Sequence, residues 1–188
     1  AFTIRNAPIR EDLTGRASIA NPGNPLHGTF DIVPAGSVVV IDMGGQTDCG
    51  AIGDMIAAGL QARGVAGVVT DGAMRDAAEI GASPLPVFCN GRAPAPSHRS
   101  LIAVGAQEPI GCGGVYVEPG DIVVADPNGV VVVPAYLAAL LAEEAGPLER
   151  AEAAIKLRIE SGEPISKVYP PSDEFLASYR GERLDDQT

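Results

Sequence analysis

The chain is short of positive charge. Its 188 residues hold 13 Lys and Arg against 24 Asp and Glu, a formal net charge of −11 at pH 7. Nucleic-acid binding draws much of its affinity from clustered Lys and Arg, so the balance argues against that class of partner and against anionic membrane surfaces. No apolar run is long enough to span a bilayer, and no signal-peptide pattern is legible. The sequence has three cysteines (Cys49, Cys89 and Cys112), no CxxC spacing, and only two histidines, His27 and His98. These cysteines read as reduced, half-buried thiols of a cytoplasmic protein. Cys49 sits in a Gly-rich loop and also admits a thiolate-nucleophile reading. The loop around Gly45, Gly50 and Gly53 lacks GxxxxGK[ST], and no GxGxxG follows the strand before it, so a phosphate loop has little support. There are no internal repeats.

What is present is enough apolar residue for a proper core. Hydrophobic residues make up 46% of the chain and charged residues 20%, which is globular composition. Residues 37–42 (SVVVID) form a continuous apolar run, as expected of a buried strand. Met55, Ile56, Gly59 and Leu60 recur at helical spacing, so 54–63 is expected to be a helix, ended by Gly64. Residues 65–70 form the next strand, and Asp71-Gly72 a turn. Strand, helix and strand make a βαβ unit with parallel strands and a right-handed crossover.

This unit delivers two polar groups to one crevice, Asp54 at a helix start and the Arg75-Asp76 doublet past a strand's carboxyl end. A helix N-terminus carries free N–H groups and partial positive charge, which suit a carboxylate. Gly53, Met55 and Ile56 surround it. Arg75 adds a planar cationic fork for the same kind of ligand. Asp76 is a hard oxygen donor for a divalent cation such as Mg2+, which keeps several waters when few protein ligands are offered. Asp54 could hold such waters or act as a base through one of them. The parts suit a 2-oxo acid chelated by a metal. They also suit plainer roles, an Asp that caps a helix and a solvated Arg–Asp surface pair.

Asp54, twenty intervening residues and then Arg75-Asp76 form a D-x20-R-D pattern. The surrounding segments are ARGVAGVVTDGAMRD at 62–76 and PGDIVVADPNGVVVVP at 119–134. In these features the chain resembles the class II pyruvate aldolases that cleave 4-hydroxy-4-methyl-2-oxoglutarate and 4-carboxy-4-hydroxy-2-oxoadipate. Their superfamily includes the regulator of ribonuclease activity A, which lacks the first Asp of the pattern. The resemblance spans roughly residues 15–134, and the helical tail is similar to that of the longer aldolases. It implies a swivelling β/β/α fold and a metal-dependent lyase that releases pyruvate through its enolate and also decarboxylates oxaloacetate. Asp76 would bind Mg2+ or Mn2+. Arg75 would clamp the carboxylate or the enolate oxygen, Asp54 would position a water as base, and the N–H groups of Met55 and Ile56 would bind the carboxylate. It further implies a homotrimer or homohexamer in which Asp173, Glu174 or Glu160 of a neighbour approaches the metal. The alternatives are a ribonuclease regulator or a small-carboxylate binding protein on the same fold.

Elsewhere, residues 1–14 give no clear element, and the helix that the resemblance implies ahead of the Gly15–Ser18 segment is not legible there. Residues 14–20 read as a short strand, and His27 as either a proton shuttle or a helix-face side chain. Residues 85–89 read as a strand, and 90–100 as a Pro- and Ser-rich loop. His98 and Arg99 in that loop are either an exposed pair or contacts for a second substrate carboxylate. Residues 115–118, 121–125 and 129–134 are expected to form a meander packed as one sheet layer, with DPNG as its hairpin turn. A helix follows, broken or kinked at Pro147, and the chain ends acidic at Asp185 and Asp186. The expected division is a β/β/α domain over 1–134 and a helical extension over 135–188 that packs on a neighbouring subunit.

Overall fold

The computed structural model describes residues 1–18, 21 and 23–180. The chain divides into two compact units, one over Ala1–Ala135 and the other from Tyr136 onward.

In the first unit β1 (Phe2–Pro8) leads into two short helices, α1 (Thr14–Ala17) and α2 (Pro25–Phe30). Next come β2 (Val38–Asp42), β3 (Cys49–Gly50), α3 (Asp54–Ala62), β4 (Gly67–Thr70), α4 (Ala77–Gly81), β5 (Val87–Phe88) and β6 (Ala95–Pro96). A single 3-10 turn, Ser97–Arg99, precedes β7 (Leu101–Ala106). Then follow β8 (Ile110–Cys112), β9 (Val115–Val117), β10 (Ile122–Asp126) and β11 (Gly129–Val133). Five strands make the main sheet in the order β5-β4-β2-β1-β7. Only the β1–β7 pair is antiparallel.

The period of two in a strand makes this a three-layer molecule. In β2, Val39 and Ile41 point into a core with Leu60 and Ala57 of α3 and Phe30 of α2. Val38 and Val40 point the other way, toward Ile110, Cys112 and Val117 of the β8–β9 ribbon. In β4, Val68 and Val69 divide in the same manner. The sheet therefore needs a cover on both faces, which explains why 37–42 is apolar without alternation. Helices cover one face and β-ribbons the other, which is the β/β/α arrangement. Leu60 is 1% exposed, and its burial contributes roughly 1.5–3 kcal/mol.

Several expectations are corrected. Residues 1–14 contain an inner strand: β1 lies between β2 and β7. Its apolar residues Phe2 and Ile4 are both core, but a run this short carries no periodic signal. Residues 14–17 are helical, not extended, and Ile19 and Ala20 of the expected strand lie outside the described residues. The meander is not one sheet: β8–β9 and β10–β11 are separate two-stranded antiparallel ribbons. Its DPNG turn is built as expected, with Asp126 Oδ1 accepting the N–H groups of Asn128 and Gly129 at 2.8 and 3.2 Å.

The second unit holds α5 (Ala138–Glu160), α6 (Ile165–Val168) and α7 (Asp173–Tyr179). Pro147 lies inside α5 without ending it. Pro147 lacks an N–H, so one intrahelical bond is lost, while the helix is held by burial of Ala151 and Ile155. Glu160 ends α5, and Asp173 and Glu174 open α7 behind its Ser172 cap. Asp185 and Asp186 lie outside the described residues. Among the described residues no helix is long and apolar enough to cross a membrane.

Candidate active site

The site is assembled by close backbone approaches that only glycine permits. The segment between β2 and α3, which contains β3, runs past the end of β4, where Gly50 bridges to Ala73. A Cβ on Gly50 would fall 2.5 Å from Arg75 Cγ and 2.8 Å from Arg75 N. A Cβ on Gly53 would fall 2.5 Å from Asp76 Oδ2 and 3.2 Å from an Arg75 guanidinium nitrogen. These absences of side chain let the doublet lie directly on the start of α3. Arg75 N–H also donates to Ile52 O at 2.9 Å, which fixes the doublet's backbone beside that helix start.

Gly53 is the residue before α3, and the first helical N–H, that of Asp54, donates to Asp76 Oδ2 at 3.2 Å. This bond, followed by the Arg75 charge, holds the Asp76 carboxyl below the usual carboxylate range against the opposing effect of burial. The Asp54 carboxylate turns back onto the helix start, where its Oδ1 accepts Met55 N–H at 2.8 Å. Arg75 approaches Asp76 Oδ2 at 3.4 Å, a long ion pair whose two side chains are 29% and 33% exposed. Such a pair adds little stability and leaves both groups accessible to a ligand. Asp76 itself adopts φ 49° and ψ 45°, a left-handed conformation that costs an L-residue roughly 1–2 kcal/mol, less for Asp than for most. The left-handed turn halts the chain after β4 so that α4 can start at Ala77.

Asp54 and Arg75 line a cavity of about 110 Å3, whose apolar wall includes Ile52 and Ile56. Ile56 and Met55 differ in availability. Met55 N–H is taken by Asp54 Oδ1 at 2.8 Å, so a ligand carboxylate at that position displaces the Asp54 side chain. No acceptor is found for Ile56 N–H among the described residues. Both histidines also line this cavity and are half-buried: His27 comes from α2, and His98 from the 3-10 turn after β6. His98 is thus not simply part of an exposed loop pair, whereas Arg99 is exposed and does not line the cavity.

The donor set suits a small hard cation. Among the described residues no three His, Cys, Asp or Glu converge, which is unlike a protein-enclosed zinc site. Asp76 brings one carboxylate to the start of α3, where Asp54 carries a second, and Mg2+ is commonly held by one or two carboxylates plus waters.

Other acidic and thiol groups serve structure. Asp71 was legible only as part of a turn, yet its carboxylate accepts N–H groups from Met43 (2.7 Å), Gly45 (2.9 Å) and Gly113 (3.3 Å). It ties the loop after β2 to the β8–β9 ribbon. Asp42 accepts from Gly44 N–H at 2.8 Å, and burial pushes its carboxyl above the usual range. Asp48 is exposed and does not line the cavity. Cys49 is fully buried, and burial raises its thiol, the opposite of an activated nucleophile. Burial also pushes Cys112 up to about 12. Cys89 is half-buried. The folded protein is therefore expected to react quickly at one thiol with Ellman's reagent near pH 8, releasing one equivalent of thionitrobenzoate, and at three thiols after denaturation. Two fast equivalents would contradict the burial of Cys49 and Cys112.

Residues 1–132 match the family model described as RraA-like, Aldolase/RraA. Over 109 residues the chain is 40% identical to a Halalkalibacterium halodurans protein provisionally named a 4-hydroxy-4-methyl-2-oxoglutarate aldolase, a match covering 58% of this chain and 51% of that one. Over 134 residues it is 36% identical to the Legionella pneumophila protein DlpA, covering 71% of this chain and 21% of that one. A Streptomyces coelicolor structure, described as an unusual member of the RNase ES inhibitor RraA family, superposes with a TM-score of 0.72 at 32% identity. That match covers 82% of this chain and 73% of the other. The matched part is about half or less of the length of these two curated relatives.

Proposed function

The chain belongs to the RraA-like (Aldolase/RraA) family, and from that premise we propose that it is a divalent-metal-dependent lyase. It cleaves a 4-hydroxy-2-oxo acid to pyruvate and a second carbonyl product, a 2-oxo acid in the physiological reaction, and it decarboxylates oxaloacetate as a side activity. The observation that carries this reading is the seating of the Asp76 carboxylate on the Asp54 N–H beside Arg75 at the start of α3, where Asp54 and Arg75 line an open cavity.

Asp76, with Asp54 beside it, would hold Mg2+ or Mn2+. Such an ion supplies Lewis acidity at the 2-oxo acid end of the substrate. The chain's own groups do the rest. Arg75 presents its guanidinium to the oxygen that gains negative charge as the carbon–carbon bond breaks, and a preplaced cation of this kind lowers the barrier to the enolate. Asp54 takes the proton of the 4-hydroxyl through a water. Ile56 N–H is available to the substrate carboxylate, and Ile52 restricts water on that side. Oxaloacetate loses CO2 through the same enolate, so one site serves both reactions. The same proposal includes assembly as a trimer or hexamer.

The likeness to an RNase ES inhibitor family supports a second reading, a non-catalytic regulator on the same fold. Asp54 weighs against it, because the resemblance puts no Asp at that position in the regulators. The deciding measurement is pyruvate release from oxaloacetate with added Mg2+, coupled to lactate dehydrogenase. Turnover that stops on exhaustive chelation and returns with metal is expected. Turnover that survives chelation, or none above the spontaneous rate, counts against the lyase.

A further inference from the structure

The hydrogen-bonding capacity of the cavity wall is mostly spent. Asn24 uses its amide fully: Oδ1 accepts from Leu26 N–H at 2.8 Å, and Nδ2 donates to Ala17 O and Ser18 O at 3.0 and 3.3 Å. Asn6 Nδ2 donates to Asp42 O at 2.9 Å and to Met43 Sδ at 3.7 Å. Apart from Arg75, the lining side chains with donors left over are the imidazoles of His27 and His98 and the Ser97 hydroxyl; among the described residues none of these has a partner. The ring nitrogens of His27 and His98 are not buried, so both imidazoles remain accessible to an anion in the cavity, which would accept hydrogen bonds from them.

His98 has a further property. It is the second residue of the 3-10 turn after β6, and β6 pairs in parallel with β3 in the register Cys49–Ala95 and Gly50–Pro96. Gly50 is the residue against which Arg75 packs. One two-residue strand thus sets both the Arg75 end of the cavity and the turn that carries His98. His98 nevertheless belongs to a segment separate from the one that supplies Asp54, Arg75 and Asp76. A residue placed this way can read the part of a substrate that leaves without touching the part that becomes enolate.

We propose that His98 is a specificity-determining residue that donates a hydrogen bond to an anionic group on the departing half of the substrate. This rests on the lyase reading above. Arg75 and Ile56 N–H are engaged by the oxo-acid end, so within this chain the side-chain donors left for a second carboxylate are those of His98, His27 and Ser97. Ser97 and His98 share the turn that β3 positions through β6, and of the two His98 has the longer side chain.

The test compares two substrates that differ only in that group. 4-Hydroxy-2-oxoglutarate splits to pyruvate and glyoxylate, and 4-hydroxy-2-oxopentanoate to pyruvate and acetaldehyde. The wild-type ratio of kcat/KM for the two is the baseline. His98→Ala is expected to reduce the preference for the carboxylate-bearing substrate about 10- to 100-fold, the value of a hydrogen bond to a charged group, mostly through KM. His98→Gln, which keeps a donor, should restore part of it. A ratio that stays put, with both substrates falling together or neither falling, overturns the role of His98. Metal-dependent deuteration of the pyruvate methyl group by the wild-type protein in D2O tests the lyase separately. If the protein enolises pyruvate but the ratio does not move, only the His98 inference fails. If it neither enolises pyruvate nor cleaves either acid, the lyase reading fails and this inference with it.

Discussion

Asp76→Asn is expected to abolish metal-dependent oxaloacetate decarboxylation while the protein stays folded. Lewis-acid stabilisation of a developing oxyanion is worth several kcal/mol, and each 1.36 kcal/mol is tenfold, so a loss of about 10^3-fold or more follows. Asn is the better probe than Ala because Asp76 sits at φ 49°, a conformation that Asn tolerates and Ala resists. Asn also keeps an oxygen for the Asp54 N–H. The native carboxyl is held below the usual range, chiefly by that N–H. Its charged form is therefore favoured above the unfolded-state value and persists to lower pH than in an ordinary Asp, so the effect of the variant is not protonation near neutrality. Residual turnover within tenfold of wild type, measured with saturating Mg2+, would remove Asp76 from the metal site.

Two glycine variants separate the chemistry from the scaffold. Gly53→Ala adds a Cβ 2.5 Å from Asp76 Oδ2, at a residue whose φ of −124° any amino acid accepts. The obstructed atom is the end of a side chain, so the fold can yield by moving the carboxylate. Activity should fall about 100-fold, as misplacements of about 1 Å do, with a stability cost near 1 kcal/mol from the poorer helix cap. Gly50→Ala differs because its Cβ meets backbone, Arg75 N at 2.8 Å and Met74 C at 3.0 Å. That clash needs a shift of the segment after β4 and should cost roughly 1–3 kcal/mol of stability. Thermal melts beside kcat/KM would distinguish the two. Wild-type kcat/KM in Gly53→Ala would contradict a need for the native position of the Asp76 carboxylate in turnover.

Much of the central fold could be read from the sequence, for a physical reason. β2, α3 and β4 lie within one or two residues of the expected 37–42, 54–63 and 65–70, and β2 and β4 are parallel. Their signals are local: an apolar run, a helical repeat and a glycine stop. β1 was missed because a seven-residue strand mixing Phe2, Arg5 and Asn6 has no pattern of its own and is defined by its partners β2 and β7. α1 was mistaken for a strand because four residues are too few for a helical period. At the candidate site, Asp54 and the Arg75-Asp76 doublet stood out through their spacing and resemblance. The roles of Gly50 and of Asp71 were hidden, since one depends on a missing side chain and the other on N–H groups brought from 26 to 42 residues away. For His98 the sequence left two alternatives, an exposed loop residue or a contact for a second substrate carboxylate, and its place in the cavity wall depends on the β3–β6 pairing, which is non-local.

That two-residue pairing has an evolutionary consequence. If His98 selects the substrate as proposed, preference cannot drift freely through the 90–100 loop, because an insertion or deletion that slips the Gly50–Pro96 register also tugs on the segment carrying Arg75. New preferences should therefore arise by side-chain exchange on a loop of fixed length, with strong epistasis toward position 50.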